Sequence, residues 1–120
     1  MPSSLSALSP LDGRYETSAD PLRPYFSEAA LIRYRVRVEL EWLKALAAER
    51  RIRELKPFSR ATLAALDRLV AGFTAGDAAH IKNIEAEINH DVKAIEYWLK
   101  GKLARNTQVQ RSLEFVHFAC

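Results

Sequence analysis

Apolar residues recur at steps of three and four along residues 81–103, and this spacing constrains the fold more than any other feature of the sequence. The stripe consists of Ile81, Ile84, Ile88, Val92, Ile95, Leu99 and Leu103. Because an α-helix places residues three and four apart on one face, the stripe predicts helix with a buried side.

Asn89, His90 and Asp91 interrupt this stripe with three adjacent residues that form helices poorly. Asn and Asp side chains compete for backbone hydrogen bonds and favour helix ends. We therefore predict a break near Asn89 and a new helix that starts on Asn89 or Asp91. Its first N–H groups would be unpaired and available to an anion or a polar ligand atom. The alternative is a polar kink capped by its own side chains, and the residues alone favour that alternative.

Composition extends the helical prediction to the whole chain, because four glycines and five prolines in 120 residues are few for a β-sandwich or barrel. Residues 33–42 alternate strictly between polar and apolar, which is a strand signal. We predict a helix there nonetheless. The segment continues unbroken into residues 43–51, Ser27 can cap its start, and Arg35 and Glu39 are spaced for a helical ion pair. Its apolar residues cover more than one face, which is typical of a helix buried on several sides.

A further helix is predicted after Pro57, with Ser59 as its cap and Gly72 and Gly76 marking its end. Residues 1–25 hold four of the five prolines and have no sustained period, so they predict an irregular arm. The predicted organisation is thus an all-α chain with an arm at 1–25 and a helical domain at 26–120. The apolar end of the chain, without a polar tail, leads us to expect a longer protein that continues past Cys120.

Charge distribution, apolar runs and cysteine content argue against several classes of protein. The 18 basic and 15 acidic residues are spread along the chain and form no basic block, so a nucleic-acid partner is not favoured. The sequence contains neither a signal peptide nor an apolar run long enough to cross a membrane, and its single cysteine cannot form an internal disulfide. We therefore expect a cytoplasmic location.

His117 and Cys120 are three residues apart, which raises the question of a metal site. No second Cys or His pair stands at zinc-finger spacing, so we predict no metal and a packed histidine. Asp12 and Gly13 predict a turn, in which Arg14 would be a solvated charge. The functional alternative is that Arg14 and Tyr15 supply a guanidinium and a phenol hydroxyl to a phosphate.

Three motifs, taken in order, carry a resemblance: SPLDGRY at residues 9–15, NHDVKAIEYWLK at 89–100 and EFVHFAC at 114–120. The chain resembles the adenylosuccinate lyase family of the longer bacterial type, in the fumarase/aspartase superfamily. The resemblance spans essentially the whole chain. It implies the N-terminal helical domain of the L-aspartase/fumarase-like fold. In the family pattern a Thr-Ser-Glu-Asp stretch, a general-acid histidine and a loop with the general base follow, so no catalytic acid or base is expected within these residues.

The implied reaction is a β-elimination in purine biosynthesis that yields fumarate and AMP from adenylosuccinate, with parallel cleavage of SAICAR to AICAR. No cofactor is implied, and the family's active sites are assembled from several subunits of a homotetramer. The family's substrate-contacting positions match Arg14, Tyr15, Asn89, His90 and Asp91 in this chain. The resemblance gives His117 and Lys93 possible supporting roles. The competing hypothesis is a non-catalytic helical module for interaction or oligomerisation, in which the multi-faced helix would be the docking surface.

Overall fold

The computed structural model describes residues 5–120; residues 1–4 of the predicted arm lie outside the described part. Every regular element in the described part is helical, which confirms the all-α prediction. The α-helices are α1 (Glu16–Ala19), α2 (Arg23–Phe26), α3 (Glu28–Ala48), α4 (Arg60–Ala71), α5 (Ala75–Ile88), α6 (Asp91–Leu103) and α7 (Thr107–Gln110). Two short 3₁₀ helices occupy Asp20–Leu22 and Leu113–Phe115.

Backbone contacts divide the chain into two compact units, residues 1–31 and 32–120. Within the described part of the first unit, helical turns occupy residues 16–26, where the sequence predicted an irregular arm. Pro21 and Pro24 do not prevent these turns because each lies in the first turn of its element, where the missing N–H would have no helical partner. The prediction of an irregular arm is therefore wrong for this stretch. The division into an arm and a domain stays a prediction.

The second unit is built around one hydrophobic core to which α3, α4, α5 and α6 all contribute. Its fully buried larger side chains are Val36, Leu40, Leu43, Leu55, Leu66, Ile81, Ile95, Leu99 and Val109. Six of the seven stripe residues, all but Val92, lie in or against this core, as their spacing predicted. Trp98 also belongs to the core, where its ring meets Phe73 edge to face with ring centroids 5.6 Å apart.

Helix α3 settles the conflict between strand and helix signals in residues 33–42 in favour of helix. Ser27 caps its start as predicted, since its Oγ accepts the Ala30 N–H at 3.1 Å. Val38 and Trp42 are 59% and 38% exposed within this chain, so the predicted burial of α3 on several sides, in a large domain or a subunit interface, stays a prediction. No helix in residues 5–120 has the length and apolar character needed to cross a membrane.

Local capping sets the starts of α4 and α5. The Ser59 hydroxyl accepts the Thr62 N–H at 3.2 Å and begins α4 as predicted, and Gly72 ends that helix. The prediction that Gly76 also marks an end is wrong, because Gly76 lies in the first turn of α5. Thr74 caps α5 there, and a first-turn glycine costs little when the cap already fixes the helix start.

Candidate functional site

The break between α5 and α6 falls where the sequence predicted it. Asn89 ends α5 in the left-handed region, with φ 55° and ψ 36°, and its N–H donates to the Glu85 carbonyl at 2.8 Å. Asn is one of the few residues other than glycine that visit this region readily. The chain therefore turns sharply at Asn89 and places His90 at the N-cap of α6.

His90 and Asp91 occupy the N–H groups at the start of α6. The His90 Nδ1 accepts the Lys93 N–H at 3.1 Å, and the Asp91 Oδ1 accepts the Val92 N–H at 2.8 Å. The prediction that these groups would be unpaired and free for a ligand is therefore wrong. The run caps its own helix, because side chains beside a helix start reach its N–H groups more easily than any distant group.

This cap leaves a defined donor on the other side of the His90 ring. When Nδ1 of a neutral imidazole accepts a hydrogen bond, the ring proton lies on Nε2. The His90 side chain is 61% exposed, so a ligand can reach the ring and an Nε2–H on it can donate. The cap and the ligand contact use different ring nitrogens and do not compete.

Arg35 of α3 holds the same run from another helix. Its Nη1 lies 2.9 Å from the Asp91 Oδ2, across 56 residues of sequence. The Val92 N–H and then the Arg35 guanidinium lower the pKa of the Asp91 carboxyl below its ordinary value. The predicted pairing of Arg35 with Glu39 is replaced by this contact, because both side chains reach partners outside their own helix.

An open groove of about 530 Å³ runs beside the break. It is lined by Lys82, Glu85, Ala86, Asn89, His90 and Asp91. Lys82 Nζ lies 3.0 Å from Glu85 Oε2, so charges of both signs face the groove. Such a surface can hold a polar ligand through several directed hydrogen bonds.

Lys93 is engaged along its own helix. Its Nζ lies 2.7 Å from Glu96 Oε2 and 5.5 Å from the centre of the Tyr97 ring. The Glu96 carboxylate raises the pKa of the Lys93 ammonium. Its supporting role in a substrate site stays a prediction.

His117 contacts Glu39, which the sequence had predicted to pair with Arg35 instead. Its Nδ1 lies 2.6 Å from Oε1 of Glu39, which is separated by 78 residues and belongs to α3. Glu39, His117 and Cys120 place one donor atom each within 4.8 Å of one another. Burial, and then the nearby Glu39 carboxylate, raise the pKa of the Cys120 thiol.

Arg14 and Tyr15 lie in the first unit, after the predicted turn. Asp12 N–H donates to the Ser9 carbonyl at 3.0 Å and Tyr15 N–H to the Pro10 carbonyl at 2.8 Å, which confirms the turn. The Arg14 guanidinium carbon lies 5.5 Å from the centre of the Tyr15 ring, and Tyr15 is 48% exposed. Whether this pair joins Asn89, His90 and Asp91 in one pocket stays a prediction.

A protein-family model described as a lyase matches residues 13–120, which include every candidate site residue. The chain belongs to the lyase family. It is 52% identical over 118 residues to an adenylosuccinate lyase of Haemophilus influenzae and 49% identical over 118 residues to an adenylosuccinate lyase of Escherichia coli K12. These alignments cover 98% of this chain and 26% of each relative, so the chain spans about a quarter of their length. The helical fold agrees with an N-terminal domain of the fumarase/aspartase type, as the sequence predicted for this lyase chain.

Proposed function

We propose that this chain forms the N-terminal part of an adenylosuccinate lyase. That enzyme would cleave adenylosuccinate to AMP and fumarate, and SAICAR to AICAR and fumarate. The proposal rests on 52% identity over 118 residues to a protein with that name. The remaining three quarters of the relatives' length would supply the catalytic acid and base.

The substrate's chemistry matches the groups at the break between α5 and α6. A β-elimination needs a base to remove a proton beside a carboxylate and an acid to protonate the leaving nitrogen. It also needs fixed polar groups that hold the succinyl carboxylates and the phosphate in the reacting geometry. The Nε2–H of His90 and the side-chain amide of Asn89 would be such groups. In the first unit, Arg14 and Tyr15 would contact the nucleotide, with the guanidinium on its phosphate.

Asp91 contributes differently in this proposal. A free carboxylate would repel a dianionic succinyl group, but the Asp91 carboxylate is occupied by Arg35 and by the Val92 N–H. Its main role would therefore be to fix the direction of the run that carries Asn89 and His90. Lys93 would support the same run from the first turn of α6.

The complete enzyme would be cytoplasmic, would need no cofactor and would work as a homotetramer. These residues alone would release no fumarate, because the proposed acid and base lie outside them. The exposed Val38 and Trp42 on α3 favour one further function, an interaction surface. In a tetramer this surface and substrate binding would coexist, whereas a bare interaction module would lack the substrate site.

The deciding experiment uses a chain of the relatives' length that carries His90→Ala or Asp91→Ser, with fumarate release and melting temperature measured for both. We expect His90→Ala to lower kcat/KM at least tenfold, a loss of about 1.4 kcal/mol in transition-state stabilisation. Its melting temperature should fall slightly, because one side-chain hydrogen bond to the α6 start is lost.

Asp91→Ser keeps a hydroxyl at the first position of α6 but loses the Arg35 contact, so a smaller drop in kcat/KM is expected. A lower melting temperature with unchanged kcat/KM in both variants would show that His90 and Asp91 have a purely structural role. No turnover of adenylosuccinate by the unmodified enzyme would refute the proposed function itself.

A further inference from the structure

The contact between Glu39 and His117 joins two partly or fully buried ionisable side chains. Their side chains are 6% and 23% exposed, respectively, and Glu39 Oε1 lies 2.6 Å from His117 Nδ1. Glu39 sits on α3 between the core residues Val36, Leu40 and Leu43. A buried carboxylate is costly unless a partner donates to it, and His117 is the partner that meets Oε1.

We propose that Glu39 is a positioning residue that sets the tautomer and direction of His117 for substrate binding. Glu39 accepts the Nδ1–H, so Nε2 of the neutral ring carries the lone pair and accepts a hydrogen bond from the ligand. The inference rests on the proposed function and on the supporting role in the substrate site that the resemblance gives His117. It assigns to Glu39 a role that acts entirely through His117.

The backbone around His117 shows that this orientation is held by its surroundings. His117 and Ala119 have φ 66° and 56°, a region that residues with a β-carbon adopt only when neighbouring contacts fix them. Two of these contacts come from α3. Besides the Glu39 carboxylate, the Trp42 Nε1–H donates to the Phe118 carbonyl at 2.7 Å.

Helix α3 thus holds both candidate histidine segments. Arg35 binds Asp91 beside His90, and Glu39, one helical turn further on, binds His117. In this proposal the two neutral rings carry opposite tautomers. His90 accepts at Nδ1 and presents an Nε2–H donor, whereas His117 donates at Nδ1 and presents an Nε2 acceptor.

A double-mutant cycle in a chain of the relatives' length tests whether Glu39 acts through His117. Glu39→Gln keeps the shape but can donate its amide N–H to Nδ1, which would force the proton to Nε2. We expect a loss of at least tenfold in kcat/KM for Glu39→Gln when His117 is present. In the His117→Gln background the same change should cause less than a twofold loss.

Equal losses in the two backgrounds, or a lower melting temperature with kcat/KM unchanged, would overturn the positioning role. Glu41→Gln is the matched control. It removes the same charge two residues along α3, from a carboxylate that is 54% exposed and pairs with Lys44 at 2.8 Å. Its kcat/KM should stay within twofold of the unmodified enzyme.

A measurement without a variant at Glu39 covers the case in which Glu39→Gln does not fold. Solid-state ¹⁵N spectra of the full-length enzyme with labelled histidine rings, assigned by their difference from His117→Gln, report which ring nitrogen carries the proton. We expect a protonated Nδ1 and an unprotonated Nε2 on His117. An unprotonated Nδ1, or protons on both ring nitrogens, would refute the inference, and this outcome is independent of whether the enzyme cleaves adenylosuccinate.

Discussion

The starts of α5 and α6 are both capped by side chains, but different residues form the two caps. At α5, the Thr74 hydroxyl accepts the Asp77 N–H at 3.2 Å while the Asp77 carboxylate accepts the Thr74 N–H at 2.9 Å. At α6, a histidine ring accepts the Lys93 N–H after a left-handed Asn89. Both starts satisfy backbone N–H groups that would otherwise lack partners.

The difference lies in what each cap leaves over. Thr74 and Asp77 bind each other's backbone N–H in a reciprocal capping box, and neither is a candidate substrate residue. Histidine is not among the preferred caps, but after capping it still offers an Nε2–H. At the α6 start, His90 is thus a less favourable cap that keeps a donor for a ligand. Substitutions at the two starts should therefore separate activity from stability.

The largest expected effect comes from His90→Ser in a chain of the relatives' length. Serine is a better cap than histidine, so the melting temperature should hold or rise. The ligand donor at Nε2 is lost, and we expect kcat/KM for adenylosuccinate to fall at least tenfold. Retained activity together with a raised melting temperature would show that His90 does nothing beyond capping.

At the α5 start, Thr74→Ala should lower stability and leave activity unchanged. It removes one of the two reciprocal bonds of the capping box, which should cost about 1 kcal/mol of stability. Because the α5 start holds no candidate substrate residue, kcat/KM should stay within twofold. Thermal unfolding checks the expected loss of stability, and initial-rate measurements on the same samples check the expected kcat/KM. A tenfold loss of activity here would end the contrast between the two helix starts.

The smallest expected effect concerns pH and the Asp91 carboxyl. Its pKa is lowered in the fold by the Val92 N–H and by Arg35, so the deprotonated form is the one that stabilises the folded state. That contribution is present above the unfolded pKa of about 3.9 and is lost as the pH falls through the lower folded pKa. The melting-temperature difference between the unmodified protein and Asp91→Asn should therefore shrink as the pH drops below about 4.

Arg35→Gln refines that measurement. It removes the second cause of the lowered pKa and keeps the first, the Val92 N–H, so part of the pH-dependent difference should remain. Salt should weaken the Arg35 part, because Asp91 is half exposed and its ion pair is screened. A difference that stays constant from pH 2 to pH 7 would contradict a stabilising role for the ionised Asp91.

Local signals in the sequence predicted local structure well. The break at Asn89, the Ser59 cap and the helical stripe at 81–103 all depend on residues within one or two turns of each other. The helical turns at 16–26 were missed because proline was interpreted as a breaker, although it is tolerated in a first turn.

Contacts between distant residues could not be predicted in the same way. Arg35 was expected to pair with Glu39 four residues away, but it reaches Asp91 across 56 residues, and Glu39 reaches His117 across 78. An i,i+4 pair on a helix surface is a weak interaction, so a partner brought by tertiary packing easily replaces it. The candidate residues were thus identifiable from motifs, whereas the groups that hold them in place required the fold.

The spacing of Arg35 and Glu39 on α3 also bears on how such chains can vary in length. Each inserted residue turns the rest of an α-helix by about 100°, so one extra residue between these positions would carry one of the two side chains away from its partner. The exposed stretch at residues 50–51 lies outside any helix, so an insertion there would break only the local contact of Arg51 with Glu49 and leave the phase of α3 and α4 unchanged. Length differences among related chains should therefore accumulate in that loop and be absent between positions 35 and 39.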